Sequence, residues 1–260
     1  MKRLILSIAA VACCTAQAPA PTPQPIIAVP LKNVRHLEYS LGVSYTQTGE
    51  EHDSGFNGSG GEGGGGNGSG VEANFGSGGR VGVIDADVVA FTNDGALVIK
   101  IHEMLQSAPR PGEEFTCLVY PDGHTTCPSS VTTPSDAEDA LLALLGRGFL
   151  DPANDAAGAH WSHAFSGKDV SVRTDFIVKS APPGGPVTIH KDLDLVSHTP
   201  NVGNTTGREE IVYDPKMLVP VSLHDVSHES FSDATVDTTI DLKLTKDSYA
   251  APSPTPTPAR

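Results

Sequence analysis

Aromatic residues make up only 5% of the 260 residues, with a single tryptophan, and there are only four cysteines. Basic residues are also scarce, 17 against 31 acidic ones, for a formal charge of −14. Nucleic-acid binding draws most of its affinity from Lys and Arg neutralising phosphates. Here no basic run exceeds Lys2-Arg3, so nucleic acid is excluded as a partner. An anionic membrane surface is disfavoured by the same charge, which leaves a covalent anchor as the route to membrane association. The apolar run Leu4 to Ala12 is too short to span a bilayer as a helix.

Several catalytic signatures are missing as well. There is no Gly-X-Ser-X-Gly elbow for a serine nucleophile. Gly76-Ser77-Gly78-Gly79-Arg80-Val81 lacks the last glycine of a dinucleotide loop and the helix that should follow it. No Cys-X-X-Cys pair is present, which removes the usual redox-active dithiol. No catalytic residues and no cofactor are therefore assigned, and a hydrolase is the least favoured class.

Glycine and proline are abundant, 27 and 21 residues, but unevenly placed. Thirteen glycines lie between Ser54 and Gly79, and nine prolines lie in Pro19–Pro30 and Pro252–Pro258. Residues 17–30 and 250–260 are expected as disordered proline-rich tethers, and 54–79 as a flexible glycine-rich loop. Between the tethers, residues 31–249 compose a single β-rich domain.

Met1-Lys2-Arg3, the apolar run after it and the small residues that follow have the three-part layout of a secretory signal over residues 1–16. Cys14-Thr15-Ala16 before Gln17 supplies the small residues of a signal-peptidase site. The rival is lipidation of Cys13, preceded by Ala10-Val11-Ala12, which departs from a bacterial lipobox at its first position. The expected location is periplasmic or secreted, with a lipid-anchored envelope protein as the alternative. Losing Lys2 and Arg3 takes the charge from −14 to −16.

That leaves Cys117 and Cys127 in an oxidising compartment. The segment between them reads as a hairpin with Gly123 at a positive φ, which sets Tyr120 opposite His124 and Cys117 opposite Cys127. A cross-strand disulfide is the expected result. Period-two alternation marks the other strands. Leu37, Tyr39, Leu41, Val43 and Tyr45 face one way, while His36, Glu38, Ser40, Gly42 and Ser44 face the other. Counting the hairpin as two, the pattern predicts ten strands.

Only one segment reads as a helix. Ser135-Asp136-Ala137-Glu138 is a capping box, and Ala137, Ala140, Leu141, Leu144 and Leu145 recur at helical spacing until Gly146. The predicted architecture is mainly β, a large antiparallel curved sheet or a barrel or sandwich, with one amphipathic helix over about 135–146.

Metal and acid–base candidates are weak. His160 and His163 flank Trp161 and would chelate together only in a turn. His224 and His228 are about 13 Å apart along a strand. The pairs Asp85/Asp87 and Asp192/Asp194 sit at period two with apolar residues between them, which places them on outward, solvated faces. Two functional readings remain. One is an envelope carrier whose face bearing Leu37, Tyr39, Leu41, Val43 and Tyr45 lines an apolar cavity; the other is a structural or adhesive module that contacts an envelope protein through the glycine-rich loop.

Overall fold

A computed structural model of the chain describes residues 27–49, 73–107, 112–121, 123–127, 133–146, 150, 156–199, 203–231 and 234–249. The expected signal, Cys13, the tail 250–260, and most of the expected 17–30 tether and 54–79 loop lie outside these residues.

The elements run β1 (Ala28–Gly49), β2 (Ala73–Thr92), β3 (Leu97–Leu105), β4 (Phe115–Val119), β5 (Thr125–Thr126), α1 (Asp136–Leu145), β6 (His160–Ser166), β7 (Val170–Ser180), β8 (Val187–Ser197), β9 (Asn204–Asp214), β10 (Val219–Ser230) and β11 (Ala234–Asp247). All eleven strands join one antiparallel sheet in the order β5-β4-β3-β2-β1-β11-β10-β9-β8-β7-β6. Two meandering arms are thus linked through the helix and meet where β1 pairs with β11. The sheet is open at β5 and β6, which selects the open curved sheet over both the barrel and the sandwich.

Curvature follows from a size mismatch. Eleven strands spaced at 4.8 Å make a sheet about 48 Å wide, whereas a ten-residue helix is about 15 Å long. Yet β1 to β4, β7 to β11 and α1 all contribute to one hydrophobic core. One short helix can serve both arms only if the sheet wraps around it. Tyr39 spans this core, donating its hydroxyl to the Pro220 carbonyl at 3.0 Å, and burial pushes its pKa up.

The sheet adds three features to the expected pattern. An eleventh strand, β6, occupies His160–Ser166, where the alternation predicted none. β1 begins at Ala28, inside the expected tether, where Ala28, Val29 and Pro30 pair with Thr92, Phe91 and Ala90. β2 begins at Ala73, inside the expected glycine-rich loop. Glycine costs entropy in a strand, but Gly78 and Gly79 pair with Tyr45 and Ser44 of the long β1. The Tyr45 ring lies over Gly78, so the contact that glycine cannot make comes from its partner.

The local devices appear where the sequence placed them. Cys117 and Cys127 are disulfide-bonded, Gly123 has φ +89°, and the Tyr120 and His124 rings stack at 4.1 Å. At the helix N-terminus the Glu138 amide donates to Ser135 Oγ at 3.3 Å and the Ser135 amide donates to the Glu138 carboxylate at 2.7 Å. The same Ser135 hydroxyl donates to Glu103 of β3 at 2.8 Å, tying the cap to the sheet. At the other end Gly146 lies against the hairpin turn, where a Cβ would come within 2.7 Å of the Gly123 Cα. The helix buries Ala137, Leu141, Leu142, Leu144 and Leu145, one more leucine than its predicted stripe.

Candidate functional site

Strand register arranges the inner face into rows that cross the sheet. One row, Val178, Ile189, Ile211, Leu223, Leu242 and Leu41, shares the hydrophobic core with the helix and is 0–3% exposed. The next row outward is Trp161, Phe176, Lys191, Glu209, Asp225, Ile240, Val43 and Arg80, partner to partner. Its centre is charged. Lys191 pairs with Glu209, and Arg80 at the far end pairs with Glu103 at 3.0 Å. Burial, followed by the charge of Glu209, pushes the Asp225 carboxyl up to about 6, although Lys191 and His224 pull it down.

Beyond this charged seam the inner face is no longer fully covered by the described residues. The following row contains Thr174, Leu193, Gly207, Ser227, Thr238 and Tyr45. The one after contains Phe165, Val172, Leu195, Thr205, Glu229 and Val236. Leu193, Leu195, Val172 and Val236 are half-buried, Tyr45 is 48% exposed and Phe165 62%. The result is a shelf of apolar and polar side chains, with Glu229 as its charged member, bounded by the seam.

This arrangement corrects the carrier geometry expected from β1. Leu37, Tyr39, Leu41 and Val43 are 0–8% exposed and belong to the packed core, so they do not together line a carrier cavity; only Tyr45 stands in the open part. Val43 stands in the seam row, and Tyr45 is the one residue of the five beyond it. An apolar pocket of about 140 Å³ does lie at the opposite end of the core, among Leu37, Val88, Leu97 and Leu145 and rimmed by Arg35 and Tyr249. That volume is below the 300–1,000 Å³ usual for ligand sites.

The histidine candidates separate. Strand β6 turns His160 and His163 to opposite faces, because residues an odd number apart in a strand point apart. His163 meets Phe176 edge-on at 5.9 Å, and Trp161 stacks on Phe176 at 5.0 Å. They form no shared metal site. His224 and His228 are each hydrogen-bonded at 2.7 Å to an outer-face aspartate, Asp241 and Asp237. Asp192 and Asp194 face outward, and Asp192 contacts His190 at 3.3 Å and Arg208 at 3.5 Å.

Asp85 and Asp87 also face outward, but Asp85 is not solvated: its side chain is only 17% exposed. It lies between His36 Nε2 at 3.6 Å and His102 Nε2 at 3.7 Å, while His36 Nδ1 is 2.7 Å from Asp87. Among the described residues His36, Glu38 and Asp85 form the group able to hold a metal ion, their ligand atoms all within 4.8 Å of one another. Sequence reading missed this group because Asp85 of β2 joins His36 and Glu38 of β1 only through strand register.

A serine–histidine contact exists at the edge of the sheet, Ser171 Oγ to His198 Nε2 at 2.9 Å. It is exposed, and among the described residues no carboxylate is hydrogen-bonded to His198, so the third member of a triad is missing. Among the described residues no helix is long and apolar enough to cross a membrane.

No family model matches the chain, and no curated protein matches it. A solved structure described for lipid–protein interactions in lipovitellin is similar over 85% of this chain and 26% of that one, with 11% sequence identity and a TM-score of 0.46. Likeness at that level supports no conclusion about either protein from the other.

Proposed function

We propose that this chain is an exported, non-catalytic binding protein of the bacterial envelope that holds an apolar or amphipathic ligand on the open half of its inner sheet face. The observation that carries the reading is the change across the seam. The same inner alternation that is closed by the helix in one half continues through Leu193, Leu195, Val172, Phe165 and Tyr45 in the other half, where it is partly exposed. Contiguous exposed apolar surface rimmed by polar groups marks an interaction site. Export is supported by the signal layout of residues 1–16 and by the disulfide, which needs an oxidising compartment. Lipidation at Cys13 would place the same protein on a membrane.

Trp161, the single tryptophan, stands in the seam row beside the shelf and supplies an intrinsic reporter. Titration with a dansyl-labelled fatty acid should give saturable energy transfer from Trp161. Leu195→Asp, on the inner face of β8, should abolish that transfer. Val196→Asp, its outward neighbour on the same strand, should leave it intact. Equal loss in both variants, or no saturable binding by the native chain, would sink the proposal.

A further inference from the structure

We propose that the outer face of the sheet carries a site for one divalent transition-metal ion of the zinc type, liganded by His36, Glu38 and Asp85. This site is independent of the ligand shelf, which lies on the opposite face. Register creates it: Glu38 of β1 stands directly opposite Asp85 of β2, Asp85 opposite His102 of β3, and His36 opposite Asp87.

Two ligands of one tetrahedral zinc ion, each about 2.0–2.2 Å from the metal, are about 3.4 Å apart. His36 Nε2 and Asp85 Oδ1 are 3.6 Å apart, too far for a hydrogen bond and close to that ligand separation. Asp85 Oδ1 is closed to solvent and has no hydrogen-bond partner. A buried carboxylate oxygen in that condition is a poor resting state for a protein surface and a natural ligand position.

The surrounding groups hold the three ligands in place. A carboxylate oxygen accepts from an imidazole N–H, so the 2.7 Å contact with Asp87 occupies His36 Nδ1 as the donor and leaves Nε2, 3.6 Å from Asp85 Oδ1, as the ligand nitrogen. A carboxylate behind the far nitrogen is the usual support of a metal-binding histidine. Thr245 donates to Glu38 Oε1 at 2.8 Å and fixes the second carboxylate. His102 flanks the other oxygen of Asp85 at 3.7 Å. Lys246 lies opposite Glu38 in β11, yet no ion pair joins them. One imidazole with two carboxylates suits zinc, cobalt or manganese better than calcium or magnesium, which take all-oxygen sets.

The test is calorimetric titration of the full chain, freed of metal by a chelator, with zinc chloride, and separately with calcium chloride. Zinc should bind with one equivalent per chain, and calcium should not bind. Asp85→Asn and His36→Gln should each weaken zinc binding at least tenfold. Asp87→Asn should weaken it roughly tenfold with the stoichiometry unchanged, the effect expected of a positioning residue. The His160→Ala/His163→Ala double variant should bind as the native chain does. Circular dichroism of the metal-free variants checks that each is folded, and Glu38→Gln replaces any that is not. Absence of saturable zinc binding, full affinity in Asp85→Asn, or calcium binding at the same site would overturn the proposal.

Discussion

The Asp225 carboxyl offers a quantitative test of the seam. Its pKa is pushed up to about 6, by burial first and then by Glu209, with Asp136 of the helix acting in the same direction and Lys191 and His224 opposing. A rise from 3.8 to about 6 corresponds to about 3 kcal/mol of disfavoured ionisation. The group is partly open to solvent, and screening reduces this to about 1–2 kcal/mol. Because the folded-state value lies above the unfolded one, the fold bears no penalty below about pH 4. The penalty develops between about pH 4 and 6 and is complete by about pH 7. Asp225→Asn removes the ionisation while keeping the shape. It should therefore stabilise the protein by about 1–2 kcal/mol at about pH 7.5 and by nothing at about pH 3.5. Urea denaturation followed by circular dichroism at the two pH values measures the difference. A variant no more stable than the native chain at neutral pH would refute the reasoning, and so would an equal gain at both values.

Two further perturbations address the devices that fasten the helix. Ser135→Ala removes both the cap and the hydroxyl donated to Glu103, which is only 9% exposed. It should cost about 2 kcal/mol in thermal or urea unfolding, and Ser135→Thr should recover most of the loss. Replacing Cys117 and Cys127 together with alanine opens a loop of sequence separation 10. Stability should fall by about 2–3 kcal/mol on the chain-entropy estimate, and reducing agent should then have no further effect on the variant.

The readily legible parts of the fold are those whose cause is local. A capping box, a hairpin closed by two cysteines and a two-residue alternation each act within a few positions. β6 escaped because its inner positions are Trp161, His163 and Phe165: a histidine interrupts the apolar alternation, and the strand stands at an exposed edge. The start of β2 escaped for a different reason. Glycine has no side chain with which to display a period, and its pairing is dictated by β1 on the other side of the sheet.

The sites were hidden by register, which is non-local. His36 and Glu38, Asp85 and Asp87, and His102 each appear in the sequence as polar positions on an outward face. Nothing within one strand says that Glu38, Asp85 and His102 fall in one row. The seam has the same character. Passing outward from the core along β8, β9 and β10, the first charged inner residue is Lys191, Glu209 and Asp225 respectively. Read singly, each is a blemish in an alternating strand. Read across the ladder they fall in one row, where Lys191 and Glu209 compensate each other and the fold leaves them partial access to water. Charges in a fully closed apolar core would be costly even when paired. Their common position therefore marks the limit of the cover that one short helix can give, and the apolar alternation beyond it, at Leu193, Leu195 and Val172, is surface that this core does not use.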